Sequence, residues 1–121
     1  MTARFVILTH DQPYLHWDLM LEESTELLTW RLFEEPTSTQ RIAAEELPPH
    51  RKHYLDYEGP VSESRGSVQQ WDTGTYQILS SREGYLEIHL QGEKQQCQAI
   101  LSRNSPKNEW TFQLIEISFS S

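Results

Sequence analysis

The chain has 121 residues, of which 36% are hydrophobic and 23% charged, and its formal net charge is −8. This length suits a single domain spanning 1–121, and the acidic balance argues against a protein that coats nucleic acid by neutralising phosphates. No apolar run is long enough to span a bilayer, the N-terminus lacks a signal-peptide pattern, and the single Cys97 excludes an internal disulfide, so we expect a cytoplasmic protein with no membrane partner.

Alternation of apolar and polar residues begins in the first segments. After an apolar run over Arg4–Thr9, the segment Tyr14–Leu21 alternates with a period of two, which predicts a strand. Its expected core face consists of Leu15, Trp17, Leu19 and Leu21. The opposite face, which we expect to be polar and accessible, consists of Tyr14, His16, Asp18 and Met20.

The rest of the chain continues as short segments separated by turn signals. Glu26–Phe33 is a second strand, and Ile42–Leu47 is either a strand or one helical turn that Pro48-Pro49 ends. His53–Tyr57 is expected to be extended. Later strands are predicted at Ser67–Trp71 and Thr75–Leu79, separated by a tight turn over Asp72–Gly74, and at Tyr85–Gln91, Gln98–Arg103 and Glu109–Phe119, with a turn at 104–108. Many short strands without a long helix predict an all-β fold, mainly a small antiparallel β-barrel that hides its edges.

A candidate metal group follows from the first two strands. His16 and Asp18 are two residues apart on one strand face, and the short connection after His10 can bring that side chain beside them. Two imidazoles and one carboxylate form a facial triad that leaves coordination positions open, and these donors suit Mn²⁺, Fe²⁺ or Zn²⁺. The same pattern is also typical of an ordinary solvent-facing strand, so the residues alone leave both interpretations open.

A second candidate segment follows the Pro-Pro pair. His50, His53 and Tyr54 could form a phosphate cradle or a polar loop, and nothing in the local sequence decides between them. The run His50–His53 could also form a basic patch with Arg65, although charge alone favours an ordinary solvated loop.

Five blocks of the sequence together resemble a known family. The opening FVILTHDQPYLHWDLMLE is similar to the start of the 3′-phosphoesterase domain of bacterial non-homologous end-joining DNA ligases, the N-terminal domain of ligase D. The blocks that follow in the family's order are the strand with Leu28 and Trp30, His50 and Tyr54 ahead of Tyr57-Glu58-Gly59, Val68–Tyr76, and the endings Leu90–Gly92 and Trp110–Leu114. The resemblance covers nearly the whole chain, and the order of the blocks makes it fairly specific.

The resemblance implies a function and a set of site residues. The family's metal ligands fall on His10, His16 and Asp18, and its phosphate-handling catalytic residues fall on His50 and Tyr54. Its members remove blocking phosphates or ribonucleotides from DNA 3′ ends with Mn²⁺ or a similar metal such as Zn²⁺, and their site lies in a groove of a small barrel. The expected partners are therefore DNA 3′ ends, including DNA/RNA primer-templates, and a DNA ligase or another end-joining protein.

Three departures from the family pattern affect catalysis. Met20 stands where the family has an arginine, and a thioether cannot neutralise a phosphate. The family's polar N-terminal arm is expected to be missing, and the loop Pro60–Ser67 is shorter than its counterpart. Arg51, Lys52 or Arg65 could replace the arginine from another segment. We therefore expect metal binding with low phosphoesterase activity. A non-catalytic metal- and phosphate-binding module and an enzyme for small phosphate esters stay open as alternatives.

Overall fold

The computed structural model describes residues 3–104 and 107–119, and in these ranges its regular structure is almost entirely strand. Within them, the strands β1–β9 are Ala3–His10, His16–Glu23, Glu26–Leu32, Ile42–Arg51, Gly59–Pro60, Ser67–Arg82, Tyr85–Gly92, Gln95–Arg103 and Trp110–Phe119. A 3₁₀ helix, Lys52–Leu55, separates β4 from β5. No helix in the described ranges is long and apolar enough to cross a membrane.

Eight of the described strands close into an antiparallel barrel. Hydrogen-bonded neighbours follow the order β1-β2-β3-β4-β9-β8-β7-β6, β6 pairs back with β1, and the short β5 adds to β6. Two four-stranded meanders, β1–β4 and β6–β9, therefore form the wall. The segment 52–66, called here the crossover segment, joins them. Closure pairs strand edges that an open sheet would expose. The predicted all-β antiparallel barrel is confirmed.

The interior of the barrel is a packed apolar core. Its members come from the inward face of each alternating strand, and the most deeply buried are Phe5, Ile7, Leu19, Leu21, Leu32, Ile88, Leu90, Leu101 and Phe112. This alternation is the physical basis for predicting the strands from a period of two. Since apolar side chains fill the interior, a site made of polar groups has room only on the outside of the wall.

A second apolar cluster, called here the outer cluster, lies on the outside of the same wall. It consists of Val6, Leu8, Met20, Leu27, Leu55 and Val68, with Tyr54, Tyr57 and Val61 packed against it. Leu55 belongs to the 3₁₀ helix and is only 3% exposed, so the crossover segment packs across the outer faces of the first strands. Burying one such leucine contributes about 1.5–3 kcal/mol.

The crossover segment overturns our expectation for the outward face of β2. We expected that face to be polar and accessible, but His16, Asp18 and Met20 are 0%, 3% and 2% exposed. Met20 packs in the outer cluster with Leu55 of the crossover segment. The His10 ring lies 4.9 Å from the His16 ring and also contacts Asp18. Alternation along β2 alone does not indicate these contacts. Leu15, expected in the core, is 56% exposed because β2 begins only at His16.

The turn expected at Asp72–Gly74 is wrong, because β6 continues without a break through these residues. The Asp72 carboxylate instead accepts hydrogen bonds from the backbone N–H groups of Lys94, at 2.8 Å, and Gln95, at 3.3 Å. A Cβ at Gly74 would lie 2.0 Å from the Gln91 carbonyl oxygen. The glycine is therefore required for the close approach of β7 rather than for a turn.

Two further expectations around β4 are wrong. Pro48-Pro49 does not end the strand, because β9 pairs only with Ile42–Ala44 and the two prolines form a bulge in β4, where they face the single residue Leu28 of β3. No ladder N–H is therefore missed. His53–Tyr57 is not extended, because the chain forms the 3₁₀ helix here and buries Leu55. The turn expected at 104–108 includes residues 105 and 106, which lie outside the described ranges.

Candidate metal centre

The β1–β2 hairpin brings the three predicted metal ligands together on the outer face of the barrel. His10 lies directly opposite His16 in the ladder, and Asp18 is one outward position further along β2. The Asp18 carboxylate has Oδ2 3.5 Å from His10 Nδ1 and Oδ1 3.2 Å from His16 Nε2. One ligand atom from each residue lies within 4.8 Å of the others, so the group could hold a metal ion.

Backbone carbonyls orient both imidazoles of the group. His10 Nε2 lies 2.8 Å from the Arg65 carbonyl oxygen, and His16 Nδ1 lies 2.9 Å from that of Tyr14. A carbonyl oxygen only accepts, so each of these nitrogens carries a proton and donates. In the neutral imidazoles, the lone pairs are therefore on His10 Nδ1 and His16 Nε2, which both face Asp18. Outer hydrogen bonds of this kind fix the tautomer of metal-binding histidines.

Two buried atoms at the centre have no hydrogen-bond partner within the described residues. They are His16 Nε2 and Asp18 Oδ1, which face each other. With a neutral His16, two lone pairs would oppose each other in a buried site, which is unfavourable unless a proton or a cation lies between them. The donor set of two nitrogens and a carboxylate therefore fits a divalent transition-metal ion.

The same geometry shifts the proton affinities of the group. The hydrogen bond with Asp18 raises the pKa of His10, against burial, and the Arg65 carbonyl adds to the increase. Burial alone would raise the pKa of Asp18, but the adjacent side chains of His10 and His16 outweigh it and hold that pKa below its usual value. The carboxylate thus stays ionised and attracts positive charge to the centre.

A groove of about 330 Å³ opens beside this group. It is lined by His10, Asp18, Met20, Pro48, Pro49, His50, Arg51, Tyr54, Val61, Arg65 and Val68. The structure therefore brings both phosphate-handling candidates, His50 and Tyr54, into one lining with two of the three metal-ligand candidates. His53 is not part of the lining, and its ring lies 4.1 Å from that of Tyr54.

The two phosphate-handling candidates present free polar atoms. His50 Nδ1 lies 2.9 Å from the Pro48 carbonyl oxygen and donates to it, which leaves Nε2 available. Within the described residues, no hydrogen bond engages the Tyr54 hydroxyl. Both groups can therefore contact a ligand in the groove.

Sequence reasoning named Arg51 and Arg65 as possible replacements for the family's arginine, and both line the groove. It missed an aromatic pair beside the centre. Tyr14 is 47% exposed, its ring stacks against Phe33 at 6.2 Å, and it lies 5.8 Å from the His16 ring. The alternation of residues had placed Tyr14 on the same strand face as His16, but no pattern in the sequence predicted its contact with Phe33.

A closed antiparallel barrel with a His-His-carboxylate group beside a groove on its outer wall defines a class of candidate metal-dependent domains. The family model described as the DNA Ligase D 3′-phosphoesterase domain matches residues 8–103, and the chain belongs to this family. It is 29% identical over 102 residues to the multifunctional non-homologous end joining protein LigD of Pseudomonas aeruginosa, an alignment that covers 75% of this chain. The chain spans 12% of that relative's length.

Proposed function

We propose that this domain binds DNA 3′ ends in end-joining repair and acts as a metal-dependent phosphoesterase that removes a 3′-phosphate or a 3′-ribonucleotide, with weakened catalysis. One observation carries the proposal. His10 and Asp18 of the candidate metal group line the same groove as His50 and Tyr54. Membership of the family and the similarity to an end-joining protein support the DNA context.

The proposed metal ligands are His10 through Nδ1, His16 through Nε2 and Asp18 through its carboxylate. Mn²⁺ is our first choice for the ion, and Zn²⁺ or another transition metal is the alternative. When bound, such an ion polarises a phosphoryl oxygen and lowers the pKa of bound water.

The chain's own side chains would bind and orient the substrate. His50 in its imidazolium form would donate from Nε2 to a phosphate oxygen, since Nδ1 is engaged by Pro48. The Tyr54 hydroxyl would donate a second hydrogen bond. The exposed Tyr14 ring, supported by Phe33, offers a face on which a terminal base could stack.

Met20 favours a second candidate function. Its apolar side chain lines the groove and is 2% exposed, so this position supplies no cation to a phosphate. The domain would then be a non-catalytic module that binds a metal and a terminal phosphate and works through a DNA ligase or another end-joining partner. Both candidates would operate in the cytoplasm, where the buried thiol of Cys97 stays reduced.

The deciding experiment measures turnover of a 3′-phosphorylated primer-template with Mn²⁺. The enzyme is supported if the wild type turns over this substrate, Asp18→Asn abolishes the turnover, and the exposed control Asp56→Asn retains it. Mn²⁺-dependent binding of the 3′-phosphorylated end without turnover would support the module. A wild-type protein that binds neither Mn²⁺ nor the 3′-phosphorylated end would reject both candidate functions.

A further inference from the structure

Two arginines in the groove have no carboxylate partner within the described residues. The chain carries a net charge of −8. Four basic side chains outside the groove pair with carboxylates: Arg4 with Asp56, Arg31 with Glu45, Lys52 with Glu22 and Arg103 with Glu83. Two others stack on aromatic rings, Arg82 on Tyr85 and Lys94 on Trp71. Arg51 and Arg65 line the groove and make no such ion pair. Two cations without a carboxylate partner that line one groove beside a candidate metal group, in an acidic protein, indicate a site for an anion.

The Arg65 guanidinium is held in place by its own loop. Its Nε donates to the Ser62 carbonyl oxygen at 3.0 Å and its Nη2 to Ser62 Oγ at 3.1 Å. The loop closes through a 2.7 Å hydrogen bond from Val61 N–H to the Gly66 carbonyl oxygen. The remaining N–H groups of the guanidinium are free to bind an anion, and their position is fixed in advance.

The loop is also anchored to the metal group. Gly66 has a φ of +81°, and a Cβ there would lie 2.1 Å from Asp11 Oδ1, so only glycine fits this approach to the β1–β2 connection. The next residue, Ser67, donates its N–H to the same carboxylate at 2.8 Å. Together with the bond from His10 to the Arg65 carbonyl, these contacts fix Arg65 relative to the candidate metal ligands.

We propose that Arg65 and Arg51 form the phosphate-binding wall of this groove and bind a terminal phosphate monoester dianion, supplying the positive charge that Met20 does not. The wall combines two segments, since Arg51 ends β4 and Arg65 belongs to the crossover segment. Its assignment to a DNA 3′-phosphate rests on the proposed function. The anion site itself rests on the two unpaired arginines.

The test compares two labelled single-stranded oligonucleotides that bind Mn²⁺-loaded protein, one ending in a non-hydrolysable 3′-phosphonate and one in a 3′-hydroxyl. Fluorescence anisotropy gives the wild-type preference for the phosphonate. Arg65→Gln is expected to reduce this preference about tenfold or more, the effect of one lost charge-assisted hydrogen bond, and Arg51→Gln to reduce it less. Arg65→Lys should retain part of it, because the charge remains without the planar fork.

Two controls separate a binding effect from a structural one. Arg82→Gln removes the same charge from an exposed arginine that stacks on Tyr85 at 3.8 Å, outside the groove lining, and should leave the preference unchanged. Mn²⁺ affinity and thermal unfolding of Arg65→Gln should match the wild type, since His10 contacts only the backbone carbonyl of Arg65.

The outcomes distinguish this proposal from the proposed function. If both glutamine variants and their combination keep the wild-type preference, the wall is wrong although the domain still binds DNA ends. If the wild type shows no preference, the DNA assignment fails, and calorimetry with inorganic phosphate then tests the wall alone. Phosphate binding that Arg65→Gln weakens would support the wall, whereas absent or unaffected phosphate binding would overturn it.

Discussion

In the proposed metal centre, protons and a divalent cation would compete for the same nitrogen of His10. Because Asp18 raises the pKa of His10, Nδ1 becomes protonated at a higher pH than in an ordinary histidine. Mn²⁺ requires the lone pair, so its affinity should fall as the pH is lowered from about 8 to about 6, with a proton released on binding. Calorimetry in buffers of different ionisation enthalpy measures both quantities. An affinity that stays constant over this range would contradict the assignment of His10.

The stability of the metal-free protein should change with pH in the opposite direction, and should increase as the pH is lowered. A raised folded-state pKa of His10 stabilises the fold fully below the ordinary histidine pKa of about 6.5, and this stabilisation is lost as the pH rises through the raised value. Asp18, whose pKa is lowered, stays ionised throughout. Urea unfolding with a chelator should therefore give a larger free energy at about pH 6 than at about pH 8. The difference should shrink in Asp18→Asn.

Met20→Arg is expected to lower the free energy of unfolding and to raise phosphoesterase activity. Sequence reasoning predicted that the fold would tolerate this change on an accessible face, but Met20 is buried in the outer cluster. The variant should unfold about 1–3 kcal/mol more easily, while an arginine that reaches the groove should raise phosphoesterase turnover at least about tenfold. Met20→Leu serves as a control with little loss of stability. Wild-type turnover equal to that of Met20→Arg would show that other cations already suffice.

The 3₁₀ helix Lys52–Leu55 contributes both to the stability of the fold, through Leu55, and to the lining of the groove, through Tyr54. Leu55→Ala should cost about 2–4 kcal/mol of unfolding free energy and weaken binding of a 3′-phosphorylated end, because Tyr54 next to it lines the groove. Leu101→Ala in the barrel interior should cost a similar amount and leave binding unchanged at a temperature where both variants are folded. Equal loss of binding in the two variants would show that the helix does not position the groove.

The sequence predicted the strands well, because inward residues such as Leu86, Ile88 and Leu90 alternate along one face. The metal group was predictable as a pattern, since His16 and Asp18 are on one face of one strand. The burial of Met20 on that face was not predictable, because it packs in the outer cluster with Leu55, which lies far away in the sequence. The turn signal at Asp72–Gly74 misled for the same reason, since its residues serve contacts with a neighbouring hairpin.

Charge over the whole molecule limits how it can bind DNA. With a net charge of −8 and two unpaired arginines in the groove, the chain can neutralise few phosphates. The logarithm of the affinity for a single-stranded 3′-phosphorylated end should therefore fall with the logarithm of salt concentration with a slope of about −1 to −2. Anisotropy titrations over a salt series measure this slope. A much steeper slope would indicate an extended basic surface and contradict a site confined to the strand end.

The three imidazoles around the groove all donate to main-chain oxygens, those of Tyr14, Pro48 and Arg65. Every residue type has a backbone carbonyl, so Tyr14, Pro48 and Arg65 can be substituted without loss of the hydrogen bonds that orient the imidazoles. Alanine at Tyr14 or Arg65 should accordingly keep the imidazoles oriented, even where it removes a side chain that contacts the ligand. In such a centre the rings keep their orientation while the side chains around them change, so the groove could acquire new substrates one side chain at a time.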